Sequence, residues 1–223
     1  MRDRMEIAAL FRSVRAIVFD LDGTLVLTDR LKYESYLRAV AQWGRHLDFA
    51  FYKTLIGESR RETCQRIVDH LALDMSWTDL AQAREREFQA MMAQARAPVV
   101  RAALRFLRAI PRPHYHVGLV SSASMDWIEW VLKRTRLSRH FDSVISGENL
   151  PNKPEPDPYL AAIEVAAVTP WDTVVAEDSQ AGVESAVRAG ARVVAVPNEA
   201  TRGQDFSRAH VRVDSLDHLI PYL

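Results

Sequence analysis

The sequence contains a single cysteine, Cys64, so no disulfide can form within one chain. It also lacks an excess of charge of either sign: 29 Lys and Arg residues balance 29 Asp and Glu residues, which argues against a nucleic-acid or anionic-membrane partner. The only apolar stretch near the N-terminus, residues 7–11, is too short for a signal peptide or a membrane span. We therefore expect a cytoplasmic protein without such partners. The sequence leaves open whether it is a monomer or a small homo-oligomer.

Hydrophobic residues make up 48% of the chain and charged residues 26%, which is typical of a globular protein with a sizeable core. Short apolar runs rich in β-branched residues recur, and most are followed by a helical spacing of apolar residues. The runs span residues 16–19, 117–120, 143–145, 173–176 and 192–196, and the helical patterns span 124–132, 159–167 and 181–189. This alternation predicts an α/β fold in which helices cover a parallel sheet.

The pattern changes between Leu25 and Val99, where the sequence shows amphipathic helices and no convincing strand. The clearest helix spans residues 60–71, with Ser59 as its candidate N-terminal cap. A second helix is predicted over residues 76–92. This segment is therefore predicted to be a helical insertion in the α/β domain.

The strongest chemical signal is Asp20-Leu21-Asp22-Gly23-Thr24, which follows the first apolar run. In an extended chain, residues i and i+2 point the same way, so the two carboxylates would lie on one side of the sheet's carboxyl edge. That arrangement is unfavourable unless a cation or substrate chemistry compensates the repulsion. Taken alone, the segment is equally compatible with a solvated turn.

Further polar residues stand where the other predicted strands end. They are Ser121 and Ser122 after the second strand, Lys153 after the third, and Glu177, Asp178 and Ser179 after the fourth. The carboxyl ends of strands form the ligand crevice of open parallel sheets, so we expect these side chains to converge there. Each has a separate explanation as a helix cap or a solvated loop residue, but their coincidence favours one shared site.

In this set and order, the motifs resemble the haloacid dehalogenase-like superfamily of phosphatases and phosphomutases, in the branch with a helical cap after the first motif. Residues 20–25 match the first motif, Ser121 the second, Lys153 the third and Glu177-Asp178 the fourth. The resemblance covers nearly the whole chain. It implies a Mg²⁺-dependent phosphoryl-transfer enzyme with a Rossmann-like core, residues 1–25 and 99–223, and a helical cap domain, residues 26–98.

The resemblance assigns roles that suit the chemistry of these side chains. Asp20 would attack phosphorus and form an aspartyl-phosphate, and Asp22 would act first as general acid and then as general base. Ser121 would donate a hydrogen bond to the phosphoryl group, and Lys153 would offset its charge. The candidate Mg²⁺ ligands are Asp20, the backbone carbonyl of Asp22, Asp178 and Glu177.

Substrate binding is implied to involve both parts of the chain. Thr24 and Ser122 are candidates at the sheet edge. In the insertion, Gly57-Glu58-Ser59-Arg60 resembles the cap segment of β-phosphoglucomutase and related sugar-phosphate phosphatases. Arg60 is the matching position for a substrate-binding cation. Arg84 is a second candidate, because it stands near where relatives carry another basic residue, and its alternative is a solvated helix face. The expected partner is a small phosphorylated metabolite.

The residues after the first motif separate the activities of this superfamily. Arg30 and Glu34 stand where β-phosphoglucomutase has a threonine and a histidine, which argues against a mutase. Asp22 argues against a dehalogenase. We therefore predict a phosphatase acting on a sugar phosphate or another small organic phosphate, phosphoglycolate included. The alternatives are a mutase and, from another class, a catalytically silent module that binds a phosphorylated ligand.

Two tryptophans, Trp127 and Trp130, fall at positions i and i+3 of the helix predicted after Ser121. We interpret them as packing or interface residues rather than as a stack for a ligand.

Overall fold

The computed structural model describes residues 2–94 and 98–223. The chain divides into two compact units, one of Met1–Leu27 with Ala97–Leu223 and the other of Thr28–Arg96. Leu27 N donates a hydrogen bond to Pro98 O (2.9 Å), and Val100 N donates one to Leu25 O (2.8 Å). The chain therefore leaves the first unit and re-enters it at neighbouring positions. Positions 95–97 of the predicted insertion lie outside the described residues.

A parallel sheet forms the centre of the first unit and confirms the predicted α/β fold. Its six strands are β1 (Ala16–Asp20), β2 (His116–Ser121), β3 (Ser143–Ser146), β4 (Thr173–Glu177), β5 (Arg192–Ala195) and β6 (Val211–Arg212). Their order is β3-β2-β1-β4-β5-β6. Five strands coincide with the predicted apolar runs. The sixth, β6, was not predicted because two residues are too few to show a pattern.

The register of the sheet brings the polar residues to one edge. Asp20 pairs with Val120, and Phe19 pairs with Ala176 on the other side. Asp20 is therefore level with Glu177, and Ser121 stands one position beyond it. Because all three strands are parallel, their carboxyl ends meet at the same edge, which is the edge that binds ligands in open α/β sheets.

Helices connect the strands and fill the second unit. They are α1 (Arg2–Leu10), α2 (Asp29–Ala41), α3 (Phe49–Lys53), α4 (Arg60–His70), α5 (Trp77–Gln94), α6 (Arg101–Ala109), α7 (Met125–Thr135), α8 (Asp157–Ala166) and α9 (Gln180–Arg188). The five helices predicted from apolar spacing correspond to α4, α5, α7, α8 and α9 and are confirmed. Within the part of the chain that is described, no helix has the length and apolar character needed to cross a membrane.

Serine side chains cap the helices that begin at the polar edge. Ser124 Oγ accepts a hydrogen bond from Trp127 N (3.4 Å) at the start of α7, and Ser179 Oγ accepts one from Gly182 N (3.1 Å) at the start of α9. The cap of α7 is thus Ser124. The alternative explanation of Ser121 or Ser122 as this cap is wrong, because the helix begins further along the chain.

The second unit has a core of its own, built from α2, α4 and α5 and the connections between them. Cys64, Ile67 and Val68 of the predicted α4 stripe are buried in it, so the interpretation of Cys64 as a core residue is confirmed. Cys64 Sγ lies 3.6 Å from Tyr36 Oη, and burial raises the pKa of its thiol. Cys64 is therefore an uncharged packing residue of this unit.

The predicted cap of α4 is confirmed, and its strength can be measured. Ser59 Oγ accepts a hydrogen bond from Glu62 N (3.3 Å), while Ser59 N donates one to Glu62 Oε2 (3.0 Å). We expect Ser59→Ala to lower the free energy of unfolding by about 1 kcal/mol, because it leaves helix N–H groups without an acceptor. Urea titration followed by circular dichroism measures this. Ser59→Thr, which keeps the hydroxyl, is the control, and equal stability of the alanine and threonine variants would contradict the cap.

Candidate active site

Asp20 and Asp22 lie at the end of β1 and in the turn that follows. Asp20 is buried, whereas Asp22 is partly exposed. Gly23 closes the turn with a φ of +100°, and its N–H donates a hydrogen bond to Val26 O (2.7 Å). A Cβ atom at Gly23 would lie 2.2 Å from Asp178 Oδ2. Glycine is therefore required here both by the left-handed backbone and by the close approach of a carboxylate.

Lys153 joins two of the three buried carboxylates of the site. Its Nζ lies 2.6 Å from Asp20 Oδ1 and 2.6 Å from Glu177 Oε1, and it also donates to Tyr159 Oη (3.0 Å). Only 7% of the Lys153 side chain is exposed. Burial alone lowers the pKa of Lys153, but the charges of Asp20 and Glu177 outweigh it, so the pKa lies well above its ordinary value. The ammonium group therefore stays charged beside both acids.

Glu177 is held by hydrogen bonds on both carboxylate oxygens. Oε1 accepts from Lys153 and from Tyr159 Oη (2.8 Å), while Oε2 accepts from the backbone N–H groups of Asp178 (2.9 Å) and Ser179 (3.0 Å). Burial raises the pKa of Glu177, but the Lys153 charge and these hydrogen bonds outweigh it and leave the pKa below its ordinary value. Glu177 is therefore a buried anion that fixes Lys153.

Asp20 has the opposite balance. Burial raises its pKa to about 8, with Lys153 opposing this shift and Glu177 adding to it. Its Oδ2 atom is buried and has no hydrogen-bond partner among the described residues. An ionised Asp20 therefore needs more positive charge nearby than Lys153 supplies, and one of its oxygens remains available to receive it.

The residues around Asp20 fit a hard divalent cation. Asp20, Glu177 and Asp178 each offer a carboxylate oxygen, and these oxygens lie within 4.8 Å of one another. Mg²⁺ prefers oxygen ligands of this kind. Asp20 and Asp178 are the better candidates, because both oxygens of Glu177 already accept several hydrogen bonds.

Asp178 is positioned by three residues from two places in the chain, the turn after β1 and the segment after β5. Thr24 Oγ1 donates a hydrogen bond to Oδ1 (3.2 Å), and Asn198 Nδ2 donates one to Oδ2 (2.9 Å), which Thr201 Oγ1 also approaches (3.4 Å). Sequence reasoning missed Asn198 and Thr201. Both come soon after β5 at the polar edge. The expectation that polar residues after the carboxyl ends of parallel strands converge, applied to the fifth strand, would have found them. The structure places the Thr24 hydroxyl on this carboxylate, and its contact with substrate stays a prediction.

Asp22 has a different set of neighbours. Ser121 Oγ donates to Asp22 Oδ2 (3.4 Å), and the indole Nε1 of Trp127 lies 3.3 Å from each carboxylate oxygen. Trp127 also stacks on Trp130 with ring centroids 5.3 Å apart, as the packing interpretation predicts. That interpretation was incomplete, because it missed the hydrogen bonds to Asp22. Ser122 is exposed beyond the end of β2.

The two candidate cations of the insertion have unlike surroundings within the second unit. The Arg60 side chain is 59% exposed and lies 3.7 Å from Glu85. Arg84 is buried, with its guanidinium 4.0 Å from the Phe88 ring centroid and Nε donating to Ser35 Oγ (3.0 Å). The alternative of a solvated face for Arg84 is therefore wrong, since the side chain packs in the helical core.

A family model of haloacid dehalogenase-like hydrolases matches residues 17–196. The chain belongs to this family, which confirms the resemblance predicted from its motifs and the prediction of an enzyme. It is 29% identical over 182 residues to a phosphorylated carbohydrates phosphatase of Thermotoga maritima, covering 79% of this chain and 82% of the relative.

Solved structures show the same architecture. A variant of CbbY from Rhodobacter sphaeroides, in complex with xylulose-(1,5)bisphosphate, has a TM-score of 0.79 at 25% identity and covers 92% of this chain and 95% of its own. A β-phosphoglucomutase from Clostridium difficile has a TM-score of 0.77 at 24% identity, covering 92% of this chain and 93% of its own. The second likeness shows the shared fold.

Gly182 in α9 offers a test of how closely the helix must approach Glu177. A Cβ atom there would lie 1.7 Å from Glu177 Oε1. We expect Gly182→Ala to lower the free energy of unfolding by about 1–3 kcal/mol, because the overlap outweighs the gain in helix propensity. The control is Gly203→Ala, which meets no atom within 4 Å. Thermal or urea unfolding measures both variants, and an unchanged or increased stability of Gly182→Ala would contradict the packing.

Proposed function

We propose that this protein is a Mg²⁺-dependent phosphatase that hydrolyses a small phosphomonoester through an aspartyl-phosphate on Asp20. The observation that carries the proposal is the state of Asp20: one oxygen is held by Lys153, and the other is buried without a partner among the described residues. The family match and the relationship to a phosphorylated carbohydrates phosphatase support it.

In the first step, an oxygen of Asp20 bonds to phosphorus while the phosphate ester bond breaks. Asp22 gives its proton to the departing oxygen. In the second step, Asp22 takes a proton from water as the water oxygen attacks the aspartyl-phosphate, and the bond between phosphorus and Asp20 breaks. Inorganic phosphate leaves, and both acids return to their starting states.

The remaining site residues stabilise charge. Lys153 offsets the negative charge shared by Asp20 and the phosphoryl group, and Ser121 donates a hydrogen bond to a phosphoryl oxygen. We propose that Asp20, Asp178 and the backbone carbonyl of Asp22 hold Mg²⁺, with Thr24 and Asn198 orienting Asp178. Glu177 is the weaker fourth candidate, because both of its oxygens already accept hydrogen bonds. The bound ion would neutralise charge on the phosphoryl oxygens.

The substrate is proposed to be a sugar phosphate or a similar small organic phosphate. One relative is named for phosphorylated carbohydrates, and another was solved with a bisphosphate sugar. We propose that the helical unit is a cap domain that selects the substrate, with Arg60 as the exposed cation for an anionic group. Arg84 and Ser122 are weaker candidates, because Arg84 is buried in the helical core and Ser122 stands beyond the strand end.

The nucleophile and the metal are tested together. We expect Asp20→Asn to reduce phosphate release from wild-type levels by at least about 10³-fold, because an amide cannot form the acyl phosphate. EDTA should abolish activity, and added Mg²⁺ should restore it. The control is Asp205→Asn, since Asp205 is an acid that caps an exposed turn. Activity that survives in Asp20→Asn, or that EDTA leaves unchanged, would contradict the proposal.

A substrate panel separates the candidate activities. Phosphate release is measured for sugar phosphates, phosphoglycolate and β-glucose 1-phosphate, and formation of glucose 6-phosphate is followed in parallel. A phosphatase releases phosphate, whereas glucose 6-phosphate formation without phosphate release would identify a mutase. If Mg²⁺ supports turnover of none of these compounds but the protein still binds one of them, a silent binding module is favoured.

The same panel tests Arg60. We expect Arg60→Ala to raise KM by about 10-fold for substrates that carry a second anionic group and to leave the others nearly unchanged. Its neighbour Arg61→Ala is the matched control, because its guanidinium lies 5.7 Å from the Trp77 ring centroid within the helical unit. Equal effects of the two variants would remove Arg60 from the substrate site.

A further inference from the structure

We propose that Trp127 is a positioning residue for Asp22, holding its carboxylate in the orientation that protonates the leaving group. The inference rests on the proposed function, because it assigns a purpose to the acid–base residue of that reaction. It goes further by giving the reaction a residue outside the four motifs.

The hydrogen-bond geometry carries the inference. Trp127 Nε1 lies 3.3 Å from Asp22 Oδ1 and 3.3 Å from Oδ2, so one N–H group is shared between the two oxygens. Ser121 Oγ contacts Oδ2 from the end of β2. A donor placed between both oxygens, together with a second donor on Oδ2, restricts rotation of the carboxylate about its last bond.

The indole itself is buried and is held at its backbone and on one ring face. Trp127 is 8% exposed, and its backbone N–H is bound by the cap residue Ser124 in the first turn of α7. The Trp130 ring lies against it, tilted by only 12°. A buried ring with two side-chain torsions, held at its backbone and on its face, is a rigid support for a second group.

Asp22 needs such a support more than Asp20 does. Asp20 is held by the buried ion pair with Lys153, whereas Asp22 is partly exposed in a turn. An acid that transfers a proton must lie within hydrogen-bond reach of the leaving oxygen, and a misplacement of 1 Å can cost about 100-fold in rate. Orientation by Trp127 therefore bears on the step in which Asp22 donates its proton.

The leaving group decides how much that step matters. A sugar alkoxide must be protonated as it departs, whereas nitrophenolate is stable without a proton. The quantity to compare is kcat/KM, which reports on events up to the first irreversible step and therefore excludes hydrolysis of the aspartyl-phosphate. A fault confined to the positioning of the acid should lower kcat/KM for the sugar phosphate and spare nitrophenyl phosphate.

The experiment compares wild type, Trp127→Phe and Trp130→Phe on nitrophenyl phosphate and on the best sugar phosphate of the panel. We expect Trp127→Phe to lower kcat/KM for the sugar phosphate by about 10- to 100-fold and to change it little for nitrophenyl phosphate. Trp130→Phe keeps an aromatic ring against the indole and removes no donor to Asp22, so it should leave the ratio of the two substrates nearly unchanged.

A second variant tests whether the effect comes from the missing N–H group or from altered packing of the ring. Replacing Trp127 with benzothienylalanine keeps the shape of the ring and exchanges the N–H for sulfur, and it should reproduce the selective loss. An equal loss for both substrates, no loss, or a gain in either Trp127 variant would overturn the positioning role. If the wild type hydrolyses neither substrate, the proposed function is overturned instead. Failure of the positioning role and failure of the proposed function therefore give different results.

Discussion

The contact of Lys153 with two buried carboxylates is the interaction on which the polar edge of the sheet depends. Asp20 and Glu177 stand level on neighbouring strands, and without the ammonium group between them their charges would repel in a dry environment. Glu177 also holds the backbone in place, because its other oxygen accepts hydrogen bonds from the N–H groups at the start of the turn into α9. Gly182 of α9 lies close against the same carboxylate, so the residue that pairs with Lys153 also sets how this helix packs.

The two acids of the first motif are one residue apart, yet they belong to different networks. Asp20 is tied to Lys153 and, through it, to Glu177 and Tyr159. Asp22 is tied to β2 and α7 through Ser121 and Trp127. This separation suits the different tasks proposed for the two carboxylates, since in that reaction one attacks as an anion and the other exchanges a proton.

The strands and the polar edge were predictable because both follow from short-range pattern and from the rule that parallel strands share an edge. Tyr159 and Trp127 were not, because each acts on another side chain rather than on a ligand and resembles an ordinary core residue in the sequence. Their partners lie 18 and 105 positions away along the chain. Only the folded chain shows those pairs, and the same holds for the burial of Arg84 against Phe88.

The only thiol of the chain, that of Cys64, differs in chemical character from the carboxylates of the candidate active site. Cys64 is buried, contacts Tyr36 and has a raised pKa, so the thiolate that reacts with oxidants and alkylating agents is scarce. The nucleophile of the proposed reaction is a carboxylate, which peroxide does not oxidise. Phosphatases that use a cysteine nucleophile can be silenced by oxidation of that residue. A phosphatase built as this one is would keep its activity under oxidative stress and in the presence of thiol reagents.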